Sequence, residues 1–194
     1  MQRSSPLAVC QRDAVEPVVE VRGLDPADLR RIGEIDRTER IDVLYDQRGT
    51  DLVARPVEID APAWDPDGDG DHSVAAKVRE VERYLAAGGV ALGAVADGRL
   101  VGIGVVVPHI RPGIAQLAFL HVSAPSRGVG IGAQLAERLE EIARAAGDAA
   151  MVVSASASAN TVRFYLGRGF RPAAEPLPEL FEQEPEDVHM HKQL

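Results

Sequence analysis

The chain has 194 residues, 45% of them hydrophobic and 26% charged, which is enough apolar material for a sizeable core. A formal charge of −9 argues against a nucleic-acid-binding surface, because phosphate backbones need a basic footprint. It favours a cationic or neutral partner instead. Cys10 is the single cysteine, so neither an intrachain disulfide nor a zinc cluster of cysteines can form. No apolar run reaches membrane-span length, and a cytoplasmic location is expected.

Met1 to Pro17 reads as a flexible, aperiodic lead-in, with one domain over residues 18–194. Val18 to Val21 is the first expected strand. Asp25-Pro26 then starts a helix, with Asp as N-cap and Pro at the first helical position, and Leu29, Ile32 and Ile35 mark its buried face. Ile41–Tyr45 and Leu52–Arg55 pair as a hairpin around Gln47-Arg48-Gly49. A Pro/Gly/Asp loop spans Ala61 to His72. Ser73 caps a helix with Val74, Val78, Val81 and Leu85 as its apolar stripe, ended by Gly88-Gly89. Val90–Ala96 and Arg99–Val107 form a hairpin about Asp97-Gly98, the strongest short turn signal in the chain. After a loop from Pro108 to Gly113, Ile114 to Val122 is a strand. A helix with Ile131, Leu135, Leu139 and Ile142 on one face stops at Gly147. Ala150–Ala155 is a buried strand, Asn160–Leu166 a short helix, and Val188–Lys192 a final strand. This order implies an α/β fold with a mixed sheet and helices on both faces.

The most informative stretch is Arg127-Gly128-Val129-Gly130-Ile131-Gly132, between the Ile114–Val122 strand and the next helix. Alternate glycines let the backbone turn sharply and bring several N–H groups close to a ligand. The helix that follows aims its positive end at the same point, so the construction suits a phosphate. A Walker loop would need Lys-Ser/Thr after the glycines, where Ala133-Gln134 stand. A Rossmann fingerprint needs G-x-G-x-x-G closing a βαβ unit, whereas a hairpin precedes this loop.

The segment resembles motif A of the GNAT superfamily of N-acetyltransferases, Gln/Arg-x-x-Gly-x-Gly/Ala, with Arg127, Gly130 and Gly132 at the defining positions. Leu120-His121-Val122-Ser123-Ala124-Pro125 is similar to the strand that precedes this loop in the family. Downstream, Asn160-Thr161-Val162-Arg163-Phe164-Tyr165-Leu166-Gly167-Arg168-Gly169-Phe170 resembles motif B. The resemblance covers roughly residues 90 to 171. It implies the acyl-CoA N-acyltransferase (GNAT) fold, with a mixed, mostly antiparallel central sheet that splays to admit acetyl-CoA as cosubstrate. The backbone from Arg127 through Gly128, Val129, Gly130 and Ile131 to Gly132 then binds the pyrophosphate. Leu120, His121 and Val122 hydrogen-bond the pantetheine arm as another strand would, and Asn160 adds a cofactor contact to its role as helix N-cap.

Acetyl transfer to an amine needs a base for the amine, donors for the tetrahedral oxyanion and a proton for the departing thiolate. Tyr165 stands at the family's tyrosine position and is the expected general acid. Histone-type members carry a Glu base on the strand before the loop, where this chain has Gln116, an amide that takes no proton. The base candidates are therefore Glu34, Asp36 and Glu39 in the N-terminal third, with His121 as another near-neutral group. Arg163 and Arg168 are candidate phosphate partners. The expected partner is an amine-bearing, cationic acceptor on a small molecule or peptide, with neither nucleic acid nor membrane; a homodimer is compatible with the sequence. The alternative is a non-catalytic acyl-CoA-binding or sensing module of the same fold.

Other signals are weaker. Asp65-Pro66-Asp67-Gly68-Asp69-Gly70-Asp71 mimics an EF-hand opening, but Ala76 stands where the bidentate Glu is required. His189 and His191 share a strand face without a third ligand, so no metal is expected. Trp64, beside that acidic loop, is either a lid over the amine site or a hydrophobic anchor.

Overall fold

The computed structural model describes residues 19–194. The expected flexible lead-in, 1–17, and Cys10 lie outside the described residues. Strand β1 (Val19–Gly23) leads through Asp25 into a 3₁₀ helix, Pro26–Glu34, with Pro26 in the first turn as expected. Leu29, Ile32 and Ile35 recur every third residue, which is the 3₁₀ period, so they stack along one line and are all buried.

The hairpin is longer than expected. Strands β2 (Glu39–Arg48) and β3 (Asp51–Ala61) turn at Gly49-Thr50 and form a separate two-stranded sheet. Its polar alternation exposes an ion-pair ladder in which Arg40 meets Asp42 and Asp60. The ribbon is tied to the body by its β2 edge. Tyr45 N–H donates to Ala157 O at 2.9 Å, and the Gln47 side chain donates to Ala173 O and accepts from His189 N–H, both at 2.8 Å.

Helix α1 (Val74–Ala86) begins where Ser73 Oγ accepts from Ala76 N–H at 3.1 Å. Strands β4 (Val90–Ala96) and β5 (Arg99–Arg111) meet at Asp97-Gly98, both with positive φ as a tight hairpin turn needs. β5 runs four residues beyond Val107, where a loop was expected. A register shift between Val107 and Arg111 accommodates Pro108, and Asp148 accepts from the backbone N–H of His109 at 3.1 Å. Then follow β6 (Ile114–Val122), α2 (Ile131–Ala146), β7 (Ala150–Ala155), α3 (Ala159–Gly167), β8 (Arg171–Pro172), α4 (Pro178–Gln183) and β9 (Val188–Gln193). Neither β8 nor α4 was expected from the sequence.

Seven strands join in the order β1-β4-β5-β6-β7-β9-β8, with every neighbouring pair antiparallel except β6–β7. The sheet divides the core into two layers. Leu135, Leu139, Met151 and Phe170 pack on the α2 side, and Leu29, Ile32, Val81 and Ile103 on the α1 side. Helices thus cover both faces, as the alternation of elements implied. A cationic clamp braces the α2 side: Glu140, with a side chain only 3% exposed, meets Lys192 at 2.7 Å and both Arg144 and Arg168 at 3.3 Å.

Candidate active site

β6 and β7 pair over only three residues each, Ile114–Gln116 against Ala150–Val152, and then part. On its other edge β6 stays paired to β5 as far as Val122, with a bulge at Ala118: Val106 pairs with Leu117, but Val105 pairs with Phe119. The extra residue swaps the faces, so Leu117 lies in the α2 layer and Phe119 in the α1 layer. Beyond Gln116, β6 therefore presents one strand edge with no partner strand.

That edge leads directly to the glycine loop. Ser123 holds the end of β6: its N–H donates to Val101 O at 2.8 Å and its Oγ accepts from Asp36 N–H at 3.0 Å. Gly128 (φ +81°) and Gly130 (φ +92°) adopt the left-handed backbone that other residues avoid. Gly130 is the N-cap of α2 and supplies no capping side chain, and the first turn carries no acidic residue. The first intrahelical bond runs from Gln134 N–H to Gly130 O, so the N–H groups of Ile131, Gly132 and Ala133 point out of the end of a 16-residue helix. Val129 is 74% exposed beside them. These uncapped donors fit a diphosphate.

Of the two arginines expected at the cofactor phosphates, Arg163 is exposed on α3 and Arg168 is engaged elsewhere. Arg127 donates to Val122 O and Thr38 O, both at 3.0 Å, and so fastens the loop to the strand end and to the segment before β2. Arg168 turns inward to Glu140. Backbone N–H groups carry the anion fit.

Tyr165, on α3, is 5% exposed and sits between Phe164 and Phe170, with ring centroids 5.1 and 5.4 Å away in edge-on geometry. Burial first, then the Asp187 carboxylate, raises its phenol well above the usual value, so the hydroxyl stays protonated at physiological pH.

The N-cap of α3 is Ser158 rather than Asn160; its Oγ accepts from Thr161 N–H at 3.3 Å. Asn160 lies inside the helix and donates from Nδ2 to Glu39 Oε1 at 2.9 Å, and Ser158 Oγ approaches the same oxygen at 3.4 Å. Of the N-terminal carboxylates, Glu39 alone is brought against the motif-B helix. Glu34 is engaged elsewhere: it pairs with Arg31 Nε at 2.9 Å and accepts from Leu100 N–H at 2.6 Å, and these partners hold its carboxyl below the usual range. That corrects its assignment as base. Asp36 is likewise lowered, chiefly by Thr38, whose hydroxyl and N–H both donate to Oδ1. His121, with ring centroids 5.1 Å from Trp64 and 4.7 Å from Phe119, is pushed down to about 3 by burial. It is a neutral packing group rather than a near-neutral base.

Trp64 is an anchor, 7% exposed in the α1-side core with the Arg37 guanidinium 4.7 Å over its ring. The acidic loop closes on itself, with Asp65 Oδ1 accepting from Asp67 and Gly68 N–H groups. His189 is buried and His191 exposed. Sequence reasoning missed the connection between α4 and β9, where Glu184 and a partly buried Asp187 bring two carboxylates to the end of β7. The available signal was the run Glu184-Pro185-Glu186-Asp187 immediately before the last strand.

Residues 69–194 match the family model of the acetyltransferase (GNAT) domain. The chain belongs to the GNAT acetyltransferase family. It is an acyltransferase that uses acetyl-CoA as cosubstrate. This acetyltransferase is similar in fold to nourseothricin acetyltransferase, at 19% identity and a TM-score of 0.68, covering 90% of this chain and 98% of that one. PaiA N-acetyltransferase from Thermoplasma acidophilum, in complex with coenzyme A, gives 19% identity and 0.59, with 91% and 99% covered. A Bacillus anthracis str. Ames protein assigned as a streptothricin acetyltransferase, in complex with acetyl coenzyme A, gives 14% and 0.60, with 91% and 97% covered. At these identities the likeness concerns the fold. No curated protein matches the acetyltransferase. Among the described residues no helix is long and apolar enough to cross a membrane.

Proposed function

We propose that this acetyltransferase moves the acetyl group of acetyl-CoA to a primary amine by direct attack. The observation that carries this reading is a buried tyrosine on the helix that follows a parted strand pair, whose neighbour Phe164 lies against Gly132 at the uncapped end of α2. The N–H groups at Ile131, Gly132 and Ala133 hold the pyrophosphate, and Gly128 and Gly130 allow the backbone to come close. The free β6 edge from Leu120 to Val122 pairs with the pantetheine amides as a strand would. The bulge at Ala118 takes a backbone N–H out of the regular ladder, where it can donate to the thioester oxygen as charge develops. Tyr165 gives its proton to the departing thiolate. Asn160, oriented by Glu39, lies at the mouth of the same cleft and assists in holding the donor.

The acceptor is an amine that arrives as a cation, in keeping with the net charge of −9. The names of two structural neighbours make nourseothricin and streptothricin natural first acceptors, alongside spermidine and a lysine peptide. The test is thiol release from acetyl-CoA with each amine. Release that depends on the amine, with an N-acetyl product found by mass spectrometry, is the expected result. Tight acetyl-CoA binding without release on any amine would favour the sensing module, a reading that Gln116 in place of a carboxylate supports.

A further inference from the structure

Glu34, Asp36 and His121 are engaged or too weak, and Glu39 serves Asn160, so the reaction lacks an obvious base. The segment after α4 offers one. Asp187 immediately precedes β9, and Val188 pairs with Ala155 at the last residue of β7. Pairing of β7 to β6 ends at Val152, so this corner lies at the open end of the splay. Asp187 also lines a cavity of about 300 Å³ between the β2 edge and the α4–β9 connection, with Tyr45, Asp46, Gln47, Phe181 and His189 among its other walls.

The groups around Asp187 leave its carboxylate uncompensated. His189 is buried and held neutral: its Nε2 lies 3.1 Å from the Glu184 carbonyl and its Nδ1 3.3 Å from Ser154 Oγ, while burial lowers its pKa. Glu184 faces Glu80 and Lys77 of α1, and desolvation followed by Glu80 raises it. Glu186 and Asp46 add two more carboxylates to the cavity wall. Among the described residues no cation offsets Asp187; burial and then Glu184 push it up to about 7. Val188, the next residue, is buried in the same core cluster as Ala155 and Tyr165, and the Asp187 charge is felt at the Tyr165 phenol, which it raises.

We propose that Asp187 is the general base, taking a proton from the acceptor ammonium in this cavity at the end of β7; this rests on the transferase reading above. Proton removal frees the nitrogen lone pair, and the N–C bond forms at the thioester carbonyl. As the C–S bond breaks, the thiolate takes the Tyr165 proton, and the second proton lost by the nitrogen restores the phenol. One proton per turnover leaves through Asp187 to solvent. Of the two groups, one titrates near neutrality and one stays protonated, which is the division that acid–base catalysis requires.

The test compares wild type, Asp187→Asn and Asp187→Glu from pH 5.5 to 9.5, with spermidine, streptothricin and a lysine peptide as acceptors. Wild-type rate should rise with a midpoint near pH 7. Asp187→Asn should lose about 100-fold or more at pH 7, regain rate above pH 9 as free amine forms, and keep its acetyl-CoA dissociation constant. Asp187→Glu should restore part of the loss. A wild-type-like profile in Asp187→Asn overturns the proposal, as does a loss traced to weaker acetyl-CoA binding. Wild type that binds acetyl-CoA but releases no thiol with any of the three amines defeats the transfer reading instead, and the base role with it.

Stability supplies a readout that needs no acceptor. A carboxyl raised in the folded state binds its proton more tightly there than in the unfolded chain. Asp187 therefore destabilises the fold increasingly as pH rises from about 4 to about 7. Asp187→Asn should match wild type in Tm near pH 4 and exceed it at pH 8. Equal Tm values at both pH values overturn the proposal.

Discussion

On the α2 side of the splay, a run of six residues makes the binding surface: two left-handed glycines, an uncapped helix end and the strand before them. On the far side, carboxylates and rings arrive from β2, α4 and the α4–β9 connection, separated by more than a hundred residues of chain. The first surface works through backbone N–H groups, so almost any side chain that leaves the φ values intact preserves it. The second works through side chains whose protonation is set by burial and by one another. In the proposed transfer a shared donor and a private acceptor require this division: the loop would recognise a constant diphosphate, and the opposite wall the amine.

Substitutions that separate the two surfaces test the comparison. Tyr165→Phe, which removes only the proton donor, should lower kcat by about 100-fold or more while calorimetry finds acetyl-CoA bound as in wild type. If turnover persists, the phenol is a packing group between Phe164 and Phe170. Glu140→Ala should spare neither surface selectively, because it strips a buried carboxylate from three cations. A loss of about 3–5 kcal/mol in denaturant unfolding is expected, with unchanged kinetics in whatever remains folded. Gly130→Ala should strain the left-handed N-cap by about 1–2 kcal/mol and raise KM for acetyl-CoA roughly tenfold, leaving KM for the amine alone. Equal changes in both constants would break the proposed separation.

His121 gives the pH counterpart of Asp187. Its folded-state pKa lies below the unfolded one, so the unfolded chain binds the extra proton. Stability should then fall as pH drops from about 6.5 towards 3, and His121→Gln should flatten that slope in thermal melts. The smallest effect belongs to Glu39→Gln. If Glu39 only orients Asn160, a few-fold rise in KM for acetyl-CoA is expected with the pH–rate profile unmoved; a shifted profile would restore it as a base.

The two surfaces also differ in how far they could be read in advance. β6 and β7 fall within the expected bounds, and both left-handed glycines sit in one hexapeptide, because loop geometry is encoded by neighbouring residues. Asn160 was assigned the cap that Ser158 takes. Ser156, Ser158 and Asn160 are all good cap types, and only packing against β2 and β7 selects one. Arg168 looked like a phosphate partner because its acceptor, Glu140, lies 28 positions away. Asp187 was invisible for the same reason. Its protonation depends on Glu184, on burial under the β2 ribbon side of the molecule and on the end of β7, none of which leaves a periodic trace.

The parting of β6 from β7 after Gln116 has a consequence beyond catalysis. It leaves a sheet with an internal seam, and a donor lying along Leu120 to Val122 would close that seam. Amide hydrogens facing the gap should then exchange freely with deuterium in the empty protein and slow on loading. The loaded form gains RT ln(1 + [L]/Kd) in stability. A cell poor in acetyl-CoA would hold this protein nearer its unfolding threshold and expose it to proteolysis, so its lifetime would follow the supply of its own substrate.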